Sequence, residues 1–101
     1  MNNVNEKKSE GSNENIALGN SVKYFREKSD ITGRLLCNIM GRSHGWCNMI
    51  EKGCSRITVP DLFKFCELFN VTPNQFYDKY NEELSKIEAQ ENNDEWRDVN
   101  I

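Results

Sequence analysis

The feature that most constrains this chain is the three-residue spacing Gly41-Arg42-Ser43 between two short stretches of helical periodicity, residues 33–40 and 44–52. Leu35, Leu36, Ile39 and Met40 are the apolar residues of the first stretch, and Cys47 and Ile50 take the inward positions of the second. Thr32 is placed to cap the first stretch and Ser43 the second. A hydroxyl there accepts from N–H groups that a helix start leaves without partners. Glycine follows each stretch, at 41 and 53, where a left-handed residue ends a helix.

The flanking segments repeat this punctuation. Ile16, Leu18, Val22 and Phe25 fall near helical spacing, so residues 15–28 form a first amphipathic helix that Ser29-Asp30 ends. After the loop Cys54-Ser55-Arg56-Ile57, Thr58 caps a fourth helix with Pro60 in its first turn, where a missing N–H is harmless. Its apolar stripe is Leu62, Phe63, Phe65, Cys66 and Phe69. Thr72-Pro73 opens a fifth helix carrying Phe76, Tyr77 and Tyr80. No segment alternates with a period of two, so the expectation is an all-α, compact five-helix domain over residues 15–80.

Residues 1–14, rich in Asn, Glu, Ser and Lys with one Val, are expected to be disordered. Residues 81–101 form an acidic C-terminal tail. Tyr80, Leu84 and Ile87 share one helical face, so the tail can extend helix five and pack on the domain or on a second copy. Trp96, Val99 and Ile101 make a second apolar cluster suited to a protein partner, with a frayed acidic tail as the alternative.

The net charge of −3 hides an asymmetry: residues 16–60 carry +4 and residues 81–101 carry −5. There is no apolar run long enough to span a membrane, and the start MNNVNEKKSEGSNEN lacks the apolar stretch of a secretory signal. A cytoplasmic protein is expected. The four cysteines have no C-x-x-C spacing and only one histidine, His44, for company, which argues against a zinc site. They read as reduced thiols, with Cys37, Cys47 and Cys66 buried and Cys54 exposed in a loop. No nucleophile–base or paired-carboxylate arrangement suggests catalysis, and no cofactor is implied.

From Leu18 to Tyr77 the chain resembles the phage-repressor (Xre/Cro-type) helix-turn-helix family. The resemblance is carried by Gly19, Val22, Phe25 and Arg26 in helix one, and by Ile31-Thr32 and Leu36-Cys37 in helix two. It continues through the turn Gly41-Arg42-Ser43, the exit Ile50-Glu51-Lys52-Gly53, and Leu62, Phe65, Phe69, Val71 and Phe76. The chain departs from the family at Gly33, where the family often carries Gln, and its groove-facing positions lack the usual Gln or Arg.

The resemblance implies a lambda-repressor-like DNA-binding domain that docks the helix at about 44–52 in the major groove. It implies an Arg26–Glu51 ion pair holding that helix to helix one. The DNA-facing set it marks is Thr32, Ser43, His44, Gly45, Trp46, Asn48 and Met49. Asn48 suits adenine, His44 a guanine edge or phosphate, and Met49 a thymine methyl. Ser43 doubles as helix cap and phosphate contact. Trp46 is read either onto phosphates and sugars or into the core or a protein interface. Arg34, Arg42, Lys52 and Arg56 suit phosphate contacts. The expected function is a sequence-specific transcriptional regulator, a nucleoid-associated repressor that binds double-stranded DNA as a homodimer. The alternative is a protein-binding module of antitoxin or anti-repressor type on the same scaffold.

Overall fold

Ser12, Thr32, Thr58 and Thr72 each accept a hydrogen bond from the backbone N–H three residues on, at 3.0–3.2 Å. These caps open four of the five helices in a computed structural model that describes the backbone of residues 12–99 and the side chains of residues 12–91. The helices are α1 (Asn13–Lys28), α2 (Gly33–Met40), α3 (Trp46–Glu51), α4 (Val59–Phe69) and α5 (Pro73–Val99). No strand occurs among the described residues, so the all-α expectation holds. At Thr72 the cap is reciprocal, because the Gln75 side-chain oxygen accepts from the Thr72 N–H at 2.8 Å. Gly41 ends α2 in the left-handed region, at φ 69°.

Two boundaries differ from the sequence reading, at the starts of α1 and α3, and the C-terminal tail takes its helical alternative. Asn13 and Glu14, expected in the disordered segment, form the first turn of α1, because Ser12 supplies a cap that compositional reasoning overlooks. Residues 1–11, the rest of that segment, lie outside the described residues. The fifth helix continues unbroken past Tyr80 to Val99. The largest difference is α3, which starts at Trp46 rather than at His44 behind a Ser43 cap. Gly45 occupies its cap position and no side chain caps it. The Ser43 carbonyl instead closes a tight turn with the Trp46 N–H at 3.0 Å, and the His44 carbonyl accepts from the Cys37 thiol at 3.5 Å. Residues 43–45 thus form a turn that leads into α3.

The core is built where the helices meet, from Val22, Leu36, Cys37, Cys47, Ile50, Phe65, Cys66, Phe69 and Phe76. Phe65 and Phe69 stack with ring centroids 5.8 Å apart, and Phe25 lies 5.6 Å from Phe76. Burying each of these large side chains stabilises the fold by about 1.5–3 kcal/mol. Not every apolar residue of the sequence stripes is inside. Leu36 is buried, but Leu35 and Ile39 on the same helix are exposed. Phe63 on α4 and Tyr77 on α5 also face outward.

α1 and α5 run antiparallel along one side. Asn13 donates to Glu91 at 3.0 Å, Asn20 to Glu83 at 3.4 Å, and the Lys79 ammonium sits 3.9 Å over the Tyr24 ring. Lys79 also pairs with Glu83 at 3.1 Å. Tyr80, Leu84 and Ile87 are half-buried. The acidic extension through Glu91 thus belongs to the folded body, bolted to α1. The side chains of Trp96 and Val99, and Ile101 entirely, lie outside the described residues. No described helix is long and apolar enough to cross a membrane.

Candidate nucleic-acid interface

A six-residue helix is too short to persist without tertiary support, so what holds α3 determines what it can present. Two devices hold it to α1. Gly19 lets the backbones touch: a Cβ there would lie 2.8 Å from the Glu51 carbonyl oxygen and nearer still to that of Ile50. The Arg26 guanidinium then grips the Glu51 carboxylate with Nε at 2.6 Å and Nη2 at 3.1 Å. Nη1 donates to the Ile31 carbonyl at 2.8 Å, so one side chain ties α1, the α1–α2 link and α3 together. The hydrogen bond to Glu51 is the main reason the Arg26 pKa is raised above its ordinary value. Gly53, at φ 79°, closes α3 against the start of α1, where the backbone of Ile16 comes within 2.9 Å of where a Cβ would stand.

The opposite face of α3 is open. Ser43, His44, Gly45, Asn48, Met49 and Lys52 are exposed, as are Thr32, Arg34, Arg42 and Arg56 on the flanking segments. Thr32 spends its hydroxyl on the α2 cap. Ser43 does not cap α3, a correction to its expected double role. Among the described residues Arg34, Lys52 and Arg56 form no ion pair, whereas Arg42 pairs with Asp61 at 3.1 Å. Trp46 belongs to the core edge: its ring lies 5.9 Å from that of Phe65, and the Arg42 guanidinium covers it at 4.6 Å. A Cβ at Gly33 would meet Cys47 Sγ at 3.6 Å, an ordinary contact, so packing does not demand glycine there.

Sequence reasoning missed Asp61, although its position three residues after the Thr58 cap is the spacing at which an acidic residue favours a helix start. It also missed the Lys79–Tyr24 contact, for which the sequence holds no local signal.

Cys37, Cys47 and Cys66 are buried and Cys54 is half-buried. The Cys47 thiol donates to Glu51 Oε2 at 3.2 Å. Burial, then that hydrogen bond, pushes its pKa from 9.0 up to about 12. Burial raises the Cys66 thiol as well. An Ellman titration at about pH 8 is therefore expected to show Cys54 reacting first and the other three reacting only with unfolding. The unfolded chain ionises Cys47 near 9 and the folded chain near 12, so its contribution to stability is complete below 9 and is lost between 9 and 12. Urea melts across that range are expected to show a shallower alkaline loss in Cys47→Ala than in the wild type. Equal slopes in the two proteins would contradict the buried, carboxylate-bonded thiol. Among the described residues no group of three or more His, Cys, Asp or Glu is placed to hold a metal ion.

No protein-family model matches the chain, and no curated protein shows significant similarity to it.

Proposed function

We propose that this protein is a sequence-specific DNA-binding transcriptional regulator of the repressor type. It uses α2, the turn at residues 41–45 and α3 as a helix-turn-helix. The observation that carries the reading is the exposed face of α3, braced from behind by Gly19 and the Arg26–Glu51 pair. Arg34, Lys52 and Arg56, on α2, at the end of α3 and in the following loop, are exposed and form no ion pair among the described residues. Asn48 and Met49 then face base edges and the three cations face phosphates, which position the domain without reading sequence. Binding requires no catalysis. Because α3 is short, affinity and specificity rest on two copies engaging paired half-sites about one helical turn apart on the nucleoid, in the cytoplasm.

Selection from random duplexes, followed by fluorescence anisotropy across a salt series, tests this. The expected result is a two-fold symmetric consensus. A triple variant R34Q/K52Q/R56Q is expected to flatten the slope of log affinity against log salt by up to about 2.7 per protomer, or about 5.4 for the two-copy complex, at about 0.9 for each phosphate no longer neutralised. Salt-independent binding, or no consensus, overturns the reading.

One observation favours a second reading. Leu35, Ile39 and Met49 are 45%, 40% and 43% exposed, an apolar content that suits a protein partner better than phosphate. Background binding to every duplex at low salt would move the assignment to a protein-binding module.

A further inference from the structure

Asp61 stands where an acidic residue is least expected, beside the proposed phosphate-binding cations. It belongs to the first turn of α4, its own N–H bonded to Thr58 Oγ1 at 3.2 Å. Its two carboxylate oxygens accept from Arg42 Nη2 at 3.1 and 3.3 Å. The pair is unequal in exposure: the Arg42 side chain is 41% exposed and that of Asp61 12%. Arg42 lies over Asp61 and shields it from solvent. The guanidinium is also held over the Trp46 ring, and Trp46 rests in turn on Phe65.

We propose that Asp61 is a built-in competitor for the nucleic-acid phosphate at Arg42, so that docking exchanges the carboxylate for a phosphodiester oxygen and affinity is held below what the basic face allows. The inference rests on the DNA-binding reading above. Three features support exchange. Among the described residues only Nη2 of the five-donor guanidinium fork is hydrogen-bonded, which leaves the other donors of a half-exposed side chain for a phosphate. The indole beneath keeps the guanidinium in place while its partner changes. Asp61 keeps a favourable site when abandoned, since the first turn of an 11-residue helix stabilises a negative charge. Of the four cations around the reading face, Arg42 alone is neutralised within the described residues, which places the control of affinity at one residue pair.

The test compares wild type, D61N, R42Q and D61N/R42Q by anisotropy on the selected duplex at fixed salt, with thermal melts as the check on folding. D61N is expected to bind about three- to tenfold more tightly, the gain coming from the lost competition for Arg42. In the R42Q background the same change is expected to alter affinity by less than about twofold, because the competition has no object. Binding by D61N that is equal to or weaker than wild type overturns the proposal and leaves the DNA-binding reading intact. A gain that persists undiminished without Arg42 also overturns it, assigning Asp61 to general repulsion. No binding by wild type or D61N to any duplex at low salt overturns both readings together.

Discussion

Replacing Gly19 with valine is expected to destabilise the protein by about 3 kcal/mol or more, the largest effect of any single substitution along the α1–α3 seam. The atoms that a Cβ at 19 would meet are the carbonyl oxygens of Ile50 and Glu51 and the Glu51 carbonyl carbon, the last two at 2.8 and 2.9 Å. All three are backbone atoms, so no rotamer change can relieve the contact. α1 and α3 must separate instead, and the separation also stretches the 2.6 Å Arg26–Glu51 bond. Gly19→Ala carries the same Cβ and is expected to show much of the loss. Urea unfolding followed by circular dichroism measures it. A loss below about 1 kcal/mol for valine would mean that the helices do not touch at this point.

The second large effect is expected from Glu51→Ala. This carboxylate is the acceptor for Arg26 Nε and Nη2 and for the Cys47 thiol, and the ion-paired side chains are only 14% and 11% exposed. Its removal leaves a guanidinium largely out of solvent with, among the described residues, only the Ile31 carbonyl as a hydrogen-bond partner. Stranding one member of a fully buried pair costs about 3–5 kcal/mol, and the residual exposure here lowers the expectation to about 2–3 kcal/mol. Arg26→Ala is expected to lose a similar amount. The double variant is expected to lose clearly less than the two single losses combined, since each single change strands the other charge. Strict additivity would show that the two residues act separately. Because this pair fixes α3, each single variant is also expected to weaken duplex binding beyond what its melting point explains.

The two variants probe the same joint from opposite sides. Gly19 permits the approach of α3 to α1, and the ion pair fixes its orientation once there. The exposed face of α3 is therefore only as well defined as this buried seam. Under the proposed DNA-binding reading, changes at the exposed Asn48 or Met49 are expected to alter duplex selection and leave stability near wild type.

Much of this arrangement was legible in the chain itself. The hydroxyl caps at Thr32, Thr58 and Thr72, the glycine ending α2 and the 3.6-residue recurrence of core residues such as Leu36, Phe65, Phe69 and Phe76 are local physics. They depend on neighbours within one or two turns, so the sequence is sufficient to place them. The Arg26–Glu51 pair was reached through resemblance, since 25 residues separate its members and no local rule connects them.

What the chain could not reveal was decided by contacts between distant segments. Ser43 is as good a cap as Thr32 by residue type, yet α3 starts at Trp46 with Gly45 at its cap position, and the Cys37 thiol bonds the His44 carbonyl in the turn before it. Trp46 had two placements open to it until Phe65 came up beneath it and Arg42 above it. Arg42 read as one of four equivalent cations until α4 brought Asp61 within 3.1 Å. The acidic extension looked like a tail until Asn13, Asn20 and Tyr24 on α1 supplied partners for Glu91, Glu83 and Lys79. Helix identity and the helical recurrence of apolar residues are properties of short windows, and the sequence by itself determined them; which residues of each stripe enter the core was decided by packing. Which of several chemically adequate partners a given group takes depends on which one the packed backbone brings within hydrogen-bond reach, and only the tertiary structure decided that.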